Sequence, residues 1–453
     1  MKDFTHGNET SLILKFSIPL VLGNLIQNLY SIIDSIIVGN FLGKAALAAV
    51  GASFPIIYTL ISLVIGIGSG ASTIIAQYFG AKDHDKVRKT IDTIYIFFFF
   101  AGIVISIIGI MLSRHIFILL RLPEEVMPDA LIYLRIYLAG MIFLFGFNGI
   151  SSILRGLGDS KNPLWFMIIA VTSNIILDLL FILVFKWGIA GIASAMVISQ
   201  SSTFIASIIY LNKKHPLVSL KLKSLTFDRV IFKDCVRIGL PTGLQQSLVA
   251  IGMMSIMGII NTFGTNAVAA FTAGIRIDSF ARMPAMTFAS ALQSFTGQNL
   301  GARKSIRIKK GLYSTLIISC IYCLFISAIL VLTRDTLMRM FTSEESVIRI
   351  GSDYLLIVTS FYLLFSIMFA FYGIMRGAGA TLIPMLVTLI TLWIIRVPLA
   401  FYLSGKIGVN GIFWSEPISW IPGVLFCWIY YIKGNWKQKG VIKSDFITLP
   451  PEN

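Results

Sequence analysis

The sequence predicts an all-α membrane protein with twelve transmembrane helices. They form two six-helix lobes related by a pseudo-two-fold axis along the membrane normal. Three observations predict this. The chain has 453 residues, 56% hydrophobic and 13% charged, with a mean hydropathy of +0.85, against about 25% charged residues in a soluble domain. It contains twelve apolar runs, each roughly 20 residues or more, long enough to cross a bilayer as a helix. Finally, the chain repeats itself after about 221 positions, the mark of a transporter built from internal repeats with its pathway between them.

In chain order, the expected spans are 15–38, 50–76, 91–113, 130–154, 164–186 and 188–211 in the first lobe, residues 1–211. Continuous runs such as Ile94 to Met111 exclude the alternating pattern of a membrane barrel. The polar stretch 212–235 reads as a cytoplasmic linker between lobes. The second lobe, 236–432, holds spans 236–261, 268–296, 311–333, 350–375, 384–404 and 409–432, and 433–453 is a basic tail. The repeat is explicit in the motifs. Ile153-Leu-Arg-Gly-Leu-Gly158 with Pro163 returns as Ile374-Met-Arg-Gly-Ala-Gly379 with Pro384. Gln77-Tyr-Phe-Gly-Ala-Lys82 returns as Gln298-Asn-Leu-Gly-Ala-Arg303, and Pro19 has its counterpart at Pro241. Six spans per lobe is an even number, so both lobes enter the membrane in the same sense, which makes the repeats parallel. The run Gly66-Ile-Gly-Ser-Gly70 predicts a helix face that a neighbour approaches closely.

The net charge of +16 follows the membrane rather than a nucleic acid. With a cytoplasmic amino terminus, 25 of the 37 Lys and Arg residues fall in cytoplasmic segments and 7 in outer loops. This bias places both termini in the cytoplasm and the protein in the plasma (inner) membrane. The basic loops face anionic lipid headgroups, and no nucleic-acid partner is expected. The opening polar residues followed by a full-length span indicate a retained first helix rather than a cleaved signal. Cys235, Cys320, Cys323 and Cys427 lie in or beside apolar spans and are expected to be packing residues.

No GxxxxGK[ST], HExxH or GxSxG sequence occurs, and all four histidines lie in tails or loops. ATP-driven transport within the chain and membrane-embedded catalysis are therefore not expected, and an ion gradient is left as the energy source. Carboxylates inside a membrane helix invite a functional reading, since a charge there costs roughly 2.5–3.5 kcal/mol. Asp34 lies on the first span and Asp178 on the fifth, respectively about 6 and 12 Å from the outer boundary. Asn174, one turn before Asp178, shares its face. Two such acids can hold a proton between them or coordinate sodium through the same oxygens. The alternative is that each acid is merely hydrated or structurally bonded. Pro19 interrupts the ladder of the first helix, and Gln27 and Asn28 precede Asp34. This is either a hinge that responds to the acid or a static kink. The second lobe has no acid at the counterpart of Asp34 but carries Arg276, Asp278, Arg282, Arg396 and Glu416. These form either a buried ion-pair network or the polar wall of a central cavity, to which Gln246 is a further candidate.

At these residues the chain resembles the multidrug and toxic compound extrusion family of antiporters, over nearly its whole length. Pro19-Leu-Val-Leu-Gly-Asn-Leu-Ile-Gln-Asn-Leu-Tyr-Ser-Ile-Ile-Asp34 resembles the family's first helix, with the acid fifteen residues after the kink proline. Asn174 and Asp178 match its helix-5 pair, nineteen and twenty-three residues after Arg155, and Asn148 matches a helix-4 amide seven residues before it. The resemblance implies a cation-coupled antiporter that exports cationic or amphipathic drugs or toxic organic compounds by alternating access. It implies no enzyme activity and no cofactor. The coupling ion would be H+ or Na+, the partners small organic molecules and lipid, and the working unit a monomer. One branch of the family carries further acids on helices 7 and 10. Here helix 7 offers Gln245 and Gln246 instead, so coupling is expected to rest on Asp34, Asn174, Asp178 and Asn148. The rival readings are a flippase for lipid-linked saccharides, which would use Arg276, Arg282 and Arg396 on an anion, and a non-transporting membrane scaffold.

Overall fold

The computed structural model describes residues 2–220 and 224–442, and they form helices throughout with no strand. Lipid supplies no hydrogen-bond partners, so a spanning backbone must bond to itself, and a chain this apolar takes the helical solution.

The first helix, α1 (Glu9–Gly80), has 72 residues. A straight helix of that length would reach about 108 Å, several bilayers. Gly43 (φ 82°, ψ −174°) turns it instead, a conformation open essentially to glycine alone. The sequence predicts a loop over 39–49 between two spans. That loop is absent: both arms stay helical up to the glycine, because one residue in this conformation re-aims the chain. Gly264 (φ 87°, ψ 179°) does the same 221 positions later, between α7 (Arg229–Asn261) and α8 (Thr265–Gly301).

The duplication is thus written in the backbone as well as in the sequence. Positive φ recurs at Lys82 and Arg303, at Gly158 and Gly379, and at Gly188 and Gly408. The pair α3 (Met127–Ala139) and α4 (Met141–Gly156) bends by 51°. Its counterpart, α10 (Glu345–Thr359) with α11 (Tyr362–Gly377), bends by 50°. The remaining spans are α2 (His84–Leu119), α5 (Lys161–Leu179), α6 (Gly188–Lys214), α9 (Ser305–Arg339) and α14 (Val409–Lys433). Another combines α12 (Leu382–Thr388), a π-helical stretch Leu389–Arg396 and α13 (Val397–Ile407). With each bent pair counted once and α1 twice, the chain makes twelve crossings.

The chain divides into two compact units. One is Ile18–Leu240, where α2 packs on α3 and α4, and α5 on α6. The other joins Asp3–Ser17 to the chain from Pro241 onward, where α8 packs on α9, α10 and α11, and α13 on α14. The glycine-rich face foreseen at 66–70 is crowded. A Cβ on Gly70 would lie 2.5 Å from the Cys235 carbonyl oxygen, and one on Gly239 would lie 2.5 Å from Ile67 Cα. Cys235, Cys323 and Cys427 are buried, Cys320 is half-buried, and all four are free thiols.

Candidate functional site

In the first unit three helices each contribute one pair of polar side chains four residues apart. On α5 the buried positions are Pro163, Phe166, Ala170, Asn174 and Asp178, a single stripe at helical spacing. Asn174 and Asp178 therefore continue the face that packs inward, and they are 3% and 0% exposed. On α3 the inward face brings Tyr133 and Tyr137, with ring centroids 6.2 Å apart. On α1 it is Tyr30 and Asp34, both half-buried. A π-helical turn, Leu180–Val184, begins two residues past Asp178, a distortion common beside functional positions.

These groups lie within electrostatic reach of one another. Asp34 acts on Asp178, and both act on Tyr30 and Tyr133. In the amide orientation that satisfies both its ends, Asn174 accepts from the Met196 backbone N–H (3.1 Å) and donates to Asp178 Oδ2 (3.2 Å) and to the Tyr30 hydroxyl. The other carboxylate oxygen, Asp178 Oδ1, is buried without a donor. Among the described residues neither acid has a Lys or Arg partner. Two carboxylates with no counter-charge, one fully buried, are stable only if something positive joins them. The arrangement can take a proton at Asp178 Oδ1, or it can offer oxygens of Asp34, Asp178 and the tyrosines to a small cation.

The other predicted residues sort differently. Asn148 is half-buried and donates to Leu144 O (2.9 Å) in its own helix. Gln27 is exposed, Asn28 half-buried, and Pro19 buried within an unbroken stretch of α1. Sequence reasoning passed over Tyr30, Tyr133 and Tyr137, although their i, i+4 spacing to Asp34 and to each other was available.

In the second unit the charges neutralise one another. Arg282 donates to Asp278 Oδ1 (2.6 Å) and to Glu416 Oε1 (2.7 Å), and Arg396 donates to Glu416 Oε2 (2.8 Å). The Tyr362 hydroxyl also donates to Asp278 Oδ1. The Arg282 guanidinium lies 5.1 Å from the Trp420 ring centroid and 5.2 Å from that of Phe365. Two arginines and two carboxylates sum to zero. Arg276, six residues before Arg282, is exposed and outside this network. Gln245 is a brace: it donates to Thr388 Oγ1 (2.6 Å) and Pro384 O (3.2 Å) and accepts from Arg376 (2.7 Å). Its neighbour Gln246 is half-buried.

Comparison with known proteins shows which family the chain resembles. The family model MatE matches twice, over residues 19–180 and 241–402, two copies offset by 222 positions. The chain is 35% identical over 438 residues to the probable multidrug resistance protein YpnP of Bacillus subtilis (strain 168), covering 96% of this chain and 97% of that one. It is 32% identical to the probable multidrug resistance protein YoeA of the same organism, over 94% of each chain. Among solved structures it superposes with a TM-score of 0.90 and 26% identity on an outward-facing multidrug resistance MATE transporter of the MOP superfamily, covering 97% of this chain and 99% of that one.

Proposed function

The chain belongs to the MatE family, whose members are transporters rather than enzymes, and on that premise we propose that it is a cation-coupled antiporter exporting cationic or amphipathic organic compounds. The observation that carries the proposal is Asp178 Oδ1, buried without a donor within electrostatic reach of Asp34, with no Lys or Arg partner to either acid among the described residues. The coupling ion, H+ or Na+, supplies the missing positive charge. A cationic substrate competes for the same negative charge, so binding of one favours release of the other, and that competition couples the two flows.

The residues divide the work. Asp178 holds the ion, with Asn174 orienting its second oxygen. Asp34 brings the charge that makes the site respond to what occupies it, and Tyr30, Tyr133 and Tyr137 supply hydroxyls at its wall. Alternating access follows if charging and discharging this cluster shifts the balance between two states of α1, whose ladder Pro19 interrupts. No cofactor enters. The positive-inside bias supports an inner-membrane protein with both termini in the cytoplasm. A lipid-linked saccharide, being anionic, would need free guanidinium groups, yet Arg282 and Arg396 are already bonded to carboxylates.

The test is flux in proteoliposomes under an imposed pH or sodium gradient. Accumulation of a cationic dye under one gradient alone names the ion. Unchanged accumulation by the Asp34→Asn, Asp178→Asn double variant would refute the site.

A further inference from the structure

Asp3–Ser17, which lead into α1 and form its first turns, belong to the second unit, while α1 from Ile18 onward belongs to the first. Phe4 is 0% exposed, and its ring packs on Phe16 (5.1 Å) and Phe295 (6.0 Å). Its backbone N–H donates to Gln298 Oε1 (2.8 Å), and its carbonyl accepts from Asn299 Nδ2 and Arg307 Nη2 (3.2 Å each). Lys304 Nζ donates to Thr5 O (2.8 Å), and Arg307 Nη2 to Gly7 O (2.9 Å). Arg307 Nη1 pairs with Glu9 (3.0 Å), and the Thr10 and Ser314 hydroxyls meet at 2.9 Å. The α8–α9 corner thus holds the chain from Phe4 to Thr10 with backbone, charge and aromatic contacts together. The chain changes unit between Ser17 and Ile18, next to Pro19.

The second repeat does the same thing in reverse. The residues ahead of Pro241 belong to the first unit. Arg88 donates to Pro216 O (3.4 Å) and Ser219 Oγ (3.2 Å), the Asp228 N–H bonds Thr93 Oγ1 (3.1 Å), and Phe232 packs on Phe97 (5.0 Å). The chain changes unit between Leu240 and Pro241, at the repeat counterpart of Pro19. Each proline lacks the N–H for one bond of its helix ladder at the point of change, which makes the helix easier to bend there.

We propose that residues 3–9 form a permanent strap that ties the start of α1 to the second unit throughout the transport cycle, as the contacts of Pro216, Ser219, Asp228 and Phe232 with α2 tie the start of α7 to the first, so that each first helix acts as a lever between a fixed end and a moving one. Contacts of three chemically different kinds converge on one short segment, which suits a fixture rather than a latch opened at each turnover. The strap lies outside the ion site, and its role rests on the transport reading above.

The test combines loosening with covalent fastening. In a background with the four native cysteines replaced by alanine, Thr10→Cys and Ser314→Cys place two thiols where the hydroxyls now meet. Oxidised, this protein is expected to transport as it does reduced. Arg307→Ala is expected to lower gradient-driven dye accumulation by about tenfold, the scale of a typical coupling free energy. Oxidation of the Cys pair in the Arg307→Ala protein is expected to restore it, which also shows that this variant is folded. Inhibition of the intact strap by oxidation, reversed by reductant, would show that the strap must release and would overturn the proposal. Full activity of reduced Arg307→Ala, or no rescue on oxidation, overturns it equally. Failure of the reduced Cys-pair parent to accumulate dye under any gradient would instead bring down the transport reading, and the strap's role with it.

Discussion

The two units derive from one repeated sequence, yet their intramembrane acid clusters differ. In the first, Asp178 is buried within electrostatic reach of Asp34, and neither has a Lys or Arg partner among the described residues. The second buries two carboxylates and joins them to two arginines. A buried charge left uncompensated is costly, and in the proposed antiporter a mobile positive charge would complete the first arrangement. The second arrangement is complete in itself and has little to exchange. Duplication supplied two copies of one scaffold, and on the proposed reading the placement of counter-charge decides which copy responds to an ion.

The sharpest way to break this comparison is to spoil the neutral network. Glu416→Ala leaves two guanidinium groups facing one aspartate, and a loss of about 3–5 kcal/mol is expected. Thermal unfolding in detergent measures it. Replacing Asp278, Arg282, Arg396 and Glu416 together by Leu and Met should cost far less, because no charge is then left alone. A tolerant Glu416→Ala with normal thermal stability would mean that the second unit is not the self-contained one.

The next effect belongs to the first unit. Asp34→Asn with Asp178→Asn should lower gradient-driven accumulation by roughly 5–150-fold, the range of a coupling free energy of about 1–3 kcal/mol. Thermal stability should hold or rise, since an uncompensated buried charge has been removed. A fall in stability matching that of Glu416→Ala would make the two clusters alike and erase the contrast.

The separation between what the sequence revealed and what it hid follows from side-chain chemistry. Asp34, Asn174 and Asp178 stand out because polar groups within apolar runs are conspicuous. The twelve spans and the duplication were legible for the same reason, since lipid leaves the backbone few choices. Tyr30, Tyr133 and Tyr137 were passed over because tyrosine blends into an apolar helix and shows its hydroxyl only when a partner is in view. Asp278 and Arg282, four apart, share a helix face, whereas Arg276 and Arg282, six apart, do not. That spacing alone could have separated Arg276 from the network. The contact of Phe4 with Gln298 joins positions 294 residues apart, and no local pattern announces it. Gly43 reads as a loop residue in sequence, and only its backbone angles show a turn without a loop.

Packing offers a smaller contrast. Gly239 meets backbone, with Ile67 Cα at 2.5 Å and Gly66 O at 2.6 Å from an added Cβ. Gly239→Ala is therefore expected to cost about 1–3 kcal/mol in thermal stability. Gly405, in α13, has nothing within 4 Å of the same position, and Gly405→Ala should be neutral or stabilising by up to about 1 kcal/mol. Equal effects at both would mean that the crowded face yields more easily than its backbone contacts imply.

The smallest expected effect decides the most about substrate charge. Arg276 is exposed and outside the buried network, so Arg276→Ala should change stability by less than about 0.5 kcal/mol. If the exported compound is cationic, an arginine contributes nothing to holding it, and accumulation should be unchanged. If the compound is anionic, Arg276 is the guanidinium of the three predicted ones that no carboxylate occupies among the described residues, and its removal should abolish transport while thermal stability stays constant. Flux of a cationic and an anionic dye through the same vesicles separates these outcomes. A loss confined to the anionic dye would move the substrate site to the second unit and leave Asp34 and Asp178 with the ion alone.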